Sequence, residues 1–142
     1  MIRKLKYFFD FYFNSTNQYS VHSPLVFNLI TKCIYLKKKE NLSNPTKLVY
    51  ILKEYFKIEN NDKYEIVYLK NISNYHAMLK KQLILTDNVI IVIDKNELYC
   101  NYDSWNNLIN RNKSQISINF YYFGLLIFRK KKLYKQNYKI RL

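Results

Sequence analysis

Asp94 is the first residue that could take part in chemistry, because it directly follows five apolar residues, Val89-Ile90-Ile91-Val92-Ile93. A short, unbroken apolar run rich in β-branched residues is typical of a strand that is buried on both faces of a sheet. In open α/β sheets, ligands bind outside the carboxyl ends of the strands. The run therefore predicts a central strand that places Asp94 at the functional edge of the sheet.

The two histidines are weaker candidates for catalysis. His22 directly precedes Ser23 and Pro24, which form a helix-start signal, so a structural hydrogen bond is favoured for its imidazole. His76 lies in a different predicted helix and has no carboxylate or cysteine at ligand spacing. Asp94 and His22 are thus the two residues that could be remnants of a catalytic site.

The cysteines and the apolar runs bear on the compartment. Cys33 and Cys100 have neither the spacing of metal ligands nor the density of a disulfide scaffold, which favours a reducing cytoplasm. No apolar run approaches the roughly 20 residues of a membrane-spanning helix. The basic and aromatic N-terminus is not followed by a small-residue cleavage site. The sequence predicts a cytoplasmic protein without a metal site or a transmembrane segment.

The single glycine, Gly124, limits the cofactors that the chain could bind. Loops of the G-x-G-x-x-G type need glycines for a tight turn and for close approach of the backbone to a pyrophosphate. With one glycine, no such loop can be formed in this sequence.

The net charge of +14 has two explanations. A strongly basic protein with fifteen tyrosines could bind RNA through phosphate contacts and base stacking. Abundant Lys, Asn, Ile, Tyr and Phe with scarce Gly, Ala and Pro are also what an A- and T-rich genome produces, without any polyanionic partner. The second explanation is favoured, and RNA binding stays open as an alternative.

The N-terminal part, residues 1–58, is predicted to be helical. Residues 2–13 form a helix candidate that is apolar nearly all round, with Arg3, Lys4 and Lys6 near its start. Packing on the domain or on a partner is favoured for it, and a position on a membrane surface is the alternative. Ser23-Pro24 starts a second helix, whose apolar face continues to Cys33 and which ends in Lys37-Lys38-Lys39. Asn44-Pro45 starts a third.

The remainder, residues 64–142, is predicted to alternate between strands and helices. Strands are indicated from Tyr64 to Leu69, from Val89 to Asp94 and from Ile116 to Tyr122, with helices near 75–83 and 102–109 between them. Phe123-Gly124 offers a turn into a further apolar strand, Leu125-Leu126-Ile127-Phe128, so that residues 114–130 form a β-hairpin. Residues 138–142 alternate like a short edge strand. We expect one domain over 1–142.

Three segments near the two ends of the chain resemble a known family. Tyr19-Ser20-Val21-His22-Ser23-Pro24-Leu25-Val26-Phe27 is similar to the H-S-P-F-V start of a group of little-characterised bacterial class I S-adenosylmethionine-dependent methyltransferases. The hairpin segment, Ile118-Asn119-Phe120 through Gly124-Leu125 to Phe128-Arg129-Lys130, resembles the group's I-D-L-F…G-L…F-F-R-K hairpin. Tyr138-Lys139-Ile140-Arg141 is similar to its F-K-L-R ending. The resemblance implies a parallel α/β sheet that ends in an antiparallel hairpin, a methyl-transfer reaction and S-adenosylmethionine as cofactor.

The middle of the chain departs from the family. The group follows the helix corresponding to residues 48–56 with a strand and an E-L-G-T-S-type glycine loop, whereas here a strand follows within a few residues. The gap corresponds to about two βαβ units of roughly 30 residues each. Paired aspartates of the group are replaced by Asp94-Lys95, and its D-G-N-H by Lys70-Asn71-Ile72-Ser73. One carboxylate between lysines is poorly suited to hold Mg²⁺ or to act as a base, so a structural role is predicted for Asp94.

The fold expected from these observations is a truncated Rossmann-like methyltransferase fold with roughly four strands in a mixed sheet. The strand from Val89 to Asp94 would lie inside, flanked by those from Tyr64 to Leu69 and from Leu125 to Phe128. The Tyr64–Leu69 strand becomes an edge that the N-terminal helices, a second copy of the chain or a protein partner would cover.

Three functions are compatible with this fold. The leading hypothesis is a degenerate methyltransferase without its cofactor site, vestigial or kept as an interaction module. The alternatives are a basic RNA-binding or ribosome-associated protein, and an active methyltransferase whose cofactor site is atypical or shared across a dimer.

Overall fold

A computed structural model describes residues 2–59, 64–70, 77, 88–94, 102–111, 116–129 and 135–142. Within these ranges, four N-terminal α-helices precede a five-stranded mixed sheet, as expected for an α/β protein with a helical N-terminal part. The elements are α1 (Ile2–Asn14), α2 (Pro24–Lys32), α3 (Lys39–Leu42), α4 (Pro45–Glu59), β1 (Glu65–Leu69), β2 (Val89–Asp94), α5 (Tyr102–Arg111), β3 (Ile116–Asn119), β4 (Phe123–Phe128) and β5 (Gln136–Lys139).

The starts of α2 and α4 follow from local chemistry. The Ser23 Oγ accepts a hydrogen bond from the Val26 N–H at 3.4 Å, and the Asn44 Oδ1 accepts one from the Lys47 N–H at 3.2 Å. Each cap is followed by a proline, which needs no hydrogen-bond partner for its nitrogen in the first turn. The prediction that α2 continues to the lysines at 37–39 is wrong. The helix ends at Lys32, and a 3-10 helix at Ile34–Leu36 follows because Cys33 leaves the helical conformation.

The order of the strands is β1-β2-β4-β3-β5. β1 and β2 are parallel, β4 is antiparallel to both β2 and β3, and β5 is parallel to β3. The expected position of β2 between the first strand and the second strand of the hairpin is confirmed. The expected number of strands is corrected from four to five. The short strand predicted at residues 138–142 is β5, which begins earlier at Gln136 and forms the far edge of the sheet.

Both faces of the sheet are covered. On one face, Ile66, Ile90 and Ile118 pack with the buried sides of α2 and α4 in the larger apolar cluster. On the other face, Ile91 and Leu126 pack with α5 in a smaller cluster. This two-sided covering explains why β2 is apolar at every position before Asp94.

The hairpin turn lies two residues earlier than predicted. The Phe120 N–H donates to the Phe123 carbonyl at 2.9 Å, so the turn spans Tyr121 and Tyr122, and Phe123 and Gly124 already belong to β4. Gly124 is extended and lies directly under the indole of Trp105 from α5. A side chain at this position would overlap that ring, so the glycine serves close packing rather than a turn.

A backbone junction joins the two ends of the described chain. The Thr16 N–H donates to the Lys139 carbonyl at 2.8 Å, and the Arg141 N–H donates to the Thr16 carbonyl at 2.9 Å. On the other side, the Ile140 N–H donates to the Asn119 carbonyl at 2.9 Å. We call Thr16 with residues 139–141 the terminal junction. It places β5 between β3 and the segment that follows α1.

α1 is fastened to this end of the sheet by one side. Tyr7 and Phe11 are buried, and their rings lie 5.5 and 5.6 Å from that of Tyr121. The Lys139 ammonium lies over the Phe11 ring at 5.4 Å and forms an ion pair with Asp10 at 3.6 Å. The prediction that this segment is helical and packs on the domain is confirmed.

Two predicted features lie outside the described residues. They are the helix near 75–83, which carries His76, and the lysines at 130–132.

Candidate functional site

The candidate site lies at the carboxyl ends of β1 and β2. The two strands are parallel and in register, with Tyr68 opposite Val92, so their carboxyl ends lie side by side. The Tyr68 hydroxyl donates a hydrogen bond to the Asp94 carboxylate at 3.2 Å. Asp94 therefore joins two neighbouring strands through a side-chain bond, which is one structural role that a lone carboxylate at this position can have.

A shallow cleft opens beside this pair. Asp94, Tyr68 and Tyr122 provide polar atoms at its wall, and α3 and the start of α4 close its other side through Leu42, Ser43, Pro45 and Leu48. The cleft holds about 190 Å³ of empty space, part of which is open to solvent. Pockets that bind cofactor-sized molecules measure about 300–1,000 Å³. The walls formed by the described residues therefore do not by themselves enclose a nucleoside cofactor.

The remaining sequence candidates are not gathered at this cleft. His22 is exposed immediately before the α2 cap and is not among the residues that line the cleft. Lys70 is exposed after β1, whereas Lys95, Cys100 and His76 lie outside the described residues. Within the ranges that the structure describes, no three His, Cys, Asp or Glu side chains lie close enough to hold a metal ion.

Cys33 is a buried, free thiol on the side of the sheet that packs against α2 and α4. Burial raises the pKa of the Cys33 thiol to about 11, and the nearby Lys37 ammonium opposes this only partly. Because the thiolate is the nucleophilic form of cysteine, a thiol with this pKa is unreactive at neutral pH. Cys33 therefore contributes packing rather than chemistry.

Sequence reasoning identified Asp94 but missed its partner Tyr68. The pairing depends on the relative register of β1 and β2, which places residues 26 positions apart side by side. The one available signal was the expectation that the two strands are adjacent and parallel. A tyrosine one residue before the end of β1 then comes within reach of the last residue of β2.

Comparisons with protein-family models, with curated proteins and with solved structures find no match to this chain. In the described part of the chain, no helix has both the length and the apolar character needed to cross a bilayer.

Proposed function

We propose that this chain is a shortened, methyltransferase-like domain without a cofactor site, which acts in the cytoplasm as an interaction module through the outer edge of β1. The observation that carries the proposal is the position of β1. It is the terminal strand of the described sheet, and only residues 60–64 separate it from the end of α4. A strand–helix unit needs roughly 30 residues, so this connection has no room for the units that would carry a glycine loop.

The arrangement of the strands supports the relation to class I methyltransferases. Two parallel strands are followed by the antiparallel hairpin of β3 and β4, and β4 lies next to β2. This is the order that the resemblance of the three segments near the chain ends implies. The small size of the cleft that the described residues form at Asp94 supports the loss of the cofactor.

Titration with S-adenosylmethionine in a calorimeter tests the loss of the cofactor site. We expect no heat of binding at micromolar concentrations of the cofactor. Saturable micromolar binding would overturn this part of the proposal and favour the alternative, an active methyltransferase with an atypical or dimer-shared site. Repeating the titration at a protein concentration at which the chain is monomeric separates those two forms of the alternative.

The exposed edge of β1 is suited to pairing with a second copy of the chain. The Glu65 N–H donates inward to the Asn88 carbonyl at 3.0 Å, and alternation along the strand directs the neighbouring backbone groups outward. Edge strands that are neither covered nor paired are templates for strand addition. Glu65 and Tyr68 are exposed there, while Ile66 and Leu69 are buried in the two clusters. Antiparallel pairing of β1 with its copy would give a symmetric dimer.

Light scattering after size exclusion tests the dimer. We expect a mass of twice 17.4 kDa that falls toward the monomer value on dilution. Tyr68→Lys should raise the monomer fraction, because it places a charge on the edge strand of each copy where the wild type has an uncharged ring, and two like charges oppose pairing. Tyr50→Lys is the matched control, since it makes the same substitution at an exposed tyrosine on α4. A mass that stays monomeric at every concentration contradicts the self-association.

A second candidate function, RNA binding, is favoured by the outer face of α4. Lys47, Lys53 and Lys57 are exposed and lie at i−3, i+3 and i+7 from the exposed Tyr50, so they share one face of the helix. Lysines around a stacking ring are a common arrangement for contacts with single-stranded RNA. Binding must then weaken steeply with salt, and replacing the three lysines by glutamine should lower the slope of log K against log salt by about 2–3. A slope that is unchanged in this variant rules out the α4 face.

A further inference from the structure

α1 has two apolar sides, and the fold uses only one of them. The side at Tyr7 and Phe11 is buried against Tyr121. A second set of apolar residues recurs at i, i+3, i+7 and i+11 and comprises Ile2, Leu5, Phe9 and Phe13. Their exposed fractions are 83%, 58%, 49% and 84%. We call these four residues the outer stripe.

The outer stripe points away from the body of the protein. At about 100° per residue, its four members span about 80° of the helix, and the centre of this arc lies about 180° from the Tyr7 and Phe11 side. The rings of Phe9 and Phe13 stack at 6.3 Å along it. Because α1 is fixed by its opposite side, the stripe forms an outward apolar ridge that lies along the surface.

The charges beside the outer stripe favour an anionic surface as its binding partner. Lys6 is exposed and borders the stripe, and the exposed Arg3 lies about 60° further round the helix on the same side. Asp10 is the one acidic residue of α1, and it already pairs with Lys139 at 3.6 Å. The chain as a whole carries a net charge of +14. A second copy of α1 would bring like charges together, whereas an anionic surface would be attracted.

We propose that α1 binds the surface of an anionic lipid bilayer, with the outer stripe inserted at the boundary between headgroups and acyl chains. Aromatic and aliphatic side chains partition into this boundary, and arginine and lysine beside them reach the lipid phosphates. Cations beside an inserted apolar face strengthen binding when the leaflet is anionic. The fixed attachment of α1 orients the helix parallel to the membrane without any change in the fold. This inference does not depend on the function of β1 or on the cofactor.

Flotation with lipid vesicles tests the proposal. The probes are vesicles of phosphatidylcholine mixed with phosphatidylglycerol, and vesicles of phosphatidylcholine alone. We expect the protein to float with the mixed vesicles, to partition at least about tenfold less onto the neutral ones, and to lose binding at high salt. Absence of the protein from the floating fraction of the mixed vesicles overturns the proposal, as does equal partition onto both kinds.

Variants assign the binding to the stripe. Phe9→Ser with Phe13→Ser should lower the partition coefficient at least about tenfold, because each inserted phenylalanine contributes more than about 1.4 kcal/mol. Both side chains are exposed, so the melting temperature should not fall. Leu36→Ser with Ile58→Ser is the matched control, since it removes two exposed apolar side chains elsewhere and should leave flotation unchanged. Equal flotation of the stripe variant and the wild type, or an equal loss in the control, overturns the assignment.

A third variant and a mass measurement separate lipid from protein partners. Arg3→Gln with Lys6→Gln should lower binding to the mixed vesicles by about tenfold or more and leave binding to neutral vesicles unchanged. In solution without lipid, the stripe variant and the wild type should show the same mass by light scattering at every concentration. A self-association that disappears in the stripe variant would instead identify a second copy as the occupant and overturn the proposal.

Discussion

At one edge of the sheet, β5 is enclosed by the chain itself, and at the other edge β1 is the last strand. Outside β5, Thr16 exchanges two backbone hydrogen bonds with residues 139–141, and Asp10 on α1 pairs with Lys139. Outside β1, the described part of the chain adds no further strand. The polar edge strand, β5, is thus covered by a neighbouring segment, whereas β1, which has more apolar residues, is the outermost strand of the described sheet.

The difference shows how the two edges depend on chain connectivity. Closing β5 joins residues more than 120 positions apart, because the N-terminal segment returns to the C-terminal one. β1 is entered directly from α4, so the preceding helix packs on the face of the sheet rather than along its edge. We expect association at the β1 edge, which the described residues do not cover, and folding stability at the β5 edge, which they do cover.

Removal of residues 140–142 should have the largest effect on stability. The change deletes the fully buried Ile140 and the Arg141 bonds to the Thr16 and Ser15 backbone. We expect the free energy of unfolding to fall by about 3–6 kcal/mol, the sum of a lost core side chain and several hydrogen bonds. Urea titration followed by circular dichroism measures it. A truncated chain as stable as the full one would show that β5 is not held by the terminal junction.

Gly124→Ala tests how closely α5 packs on β4, a strand that lies inside the sheet. The added Cβ would overlap the Trp105 indole, so the ring or β4 must move. We expect a loss of about 1–3 kcal/mol, which is typical of overpacking. Trp105→Phe in the same chain should recover part of this loss, because the smaller ring leaves room for the methyl group. If the double variant loses as much free energy of unfolding as the two single variants together, the close contact between Gly124 and Trp105 is not the cause of the loss.

Alkaline pH should lower the free energy of unfolding, because the buried Cys33 thiol resists deprotonation in the folded state. Burial raises the pKa of Cys33 above its unfolded value of 9.0 to about 11, so the folded state holds the proton more tightly than the unfolded one. The stabilising contribution is complete below pH 9 and is lost as pH rises to 11, by up to about 2 kcal/mol. Burial also raises the pKa of Tyr35, which acts in the same direction. Urea midpoints at the two ends of this range measure the change, and Cys33→Val should reduce it.

Matched tyrosine substitutions compare the two edges directly. The Tyr35 hydroxyl donates to the Arg141 carbonyl at 2.9 Å beside the terminal junction, and the Tyr68 hydroxyl donates to Asp94 at 3.2 Å at the β1 edge. Tyr35→Phe should cost about 0.5–1.5 kcal/mol, and Tyr68→Phe should cost less because Tyr68 is exposed whereas Tyr35 is half-buried. Equal costs, measured by urea titration, would remove the predicted contrast between the edges.

Local patterns in the sequence determined most of the elements. The serine and asparagine caps before Pro24 and Pro45, the apolar run of β2 and the alternation of β3 each reflect the period or the chemistry of a few neighbouring residues, and each element is observed. The parallel pairing of β1 with β2 and the position of β4 also agree with the expectation. At the candidate site, the sequence supplied Asp94 and its position at the end of β2.

Only the tertiary structure determined which edge strand is covered by another segment and which side chains are in contact. Thr16 closes β5 through backbone atoms, which every residue type possesses and which leave no signature in the sequence. The contact of Gly124 with Trp105, the bond from Tyr68 to Asp94 and the early end of α2 depend on the register between distant segments. Periodicity fixes the face on which a residue lies, but register depends on the packing of the complete chain.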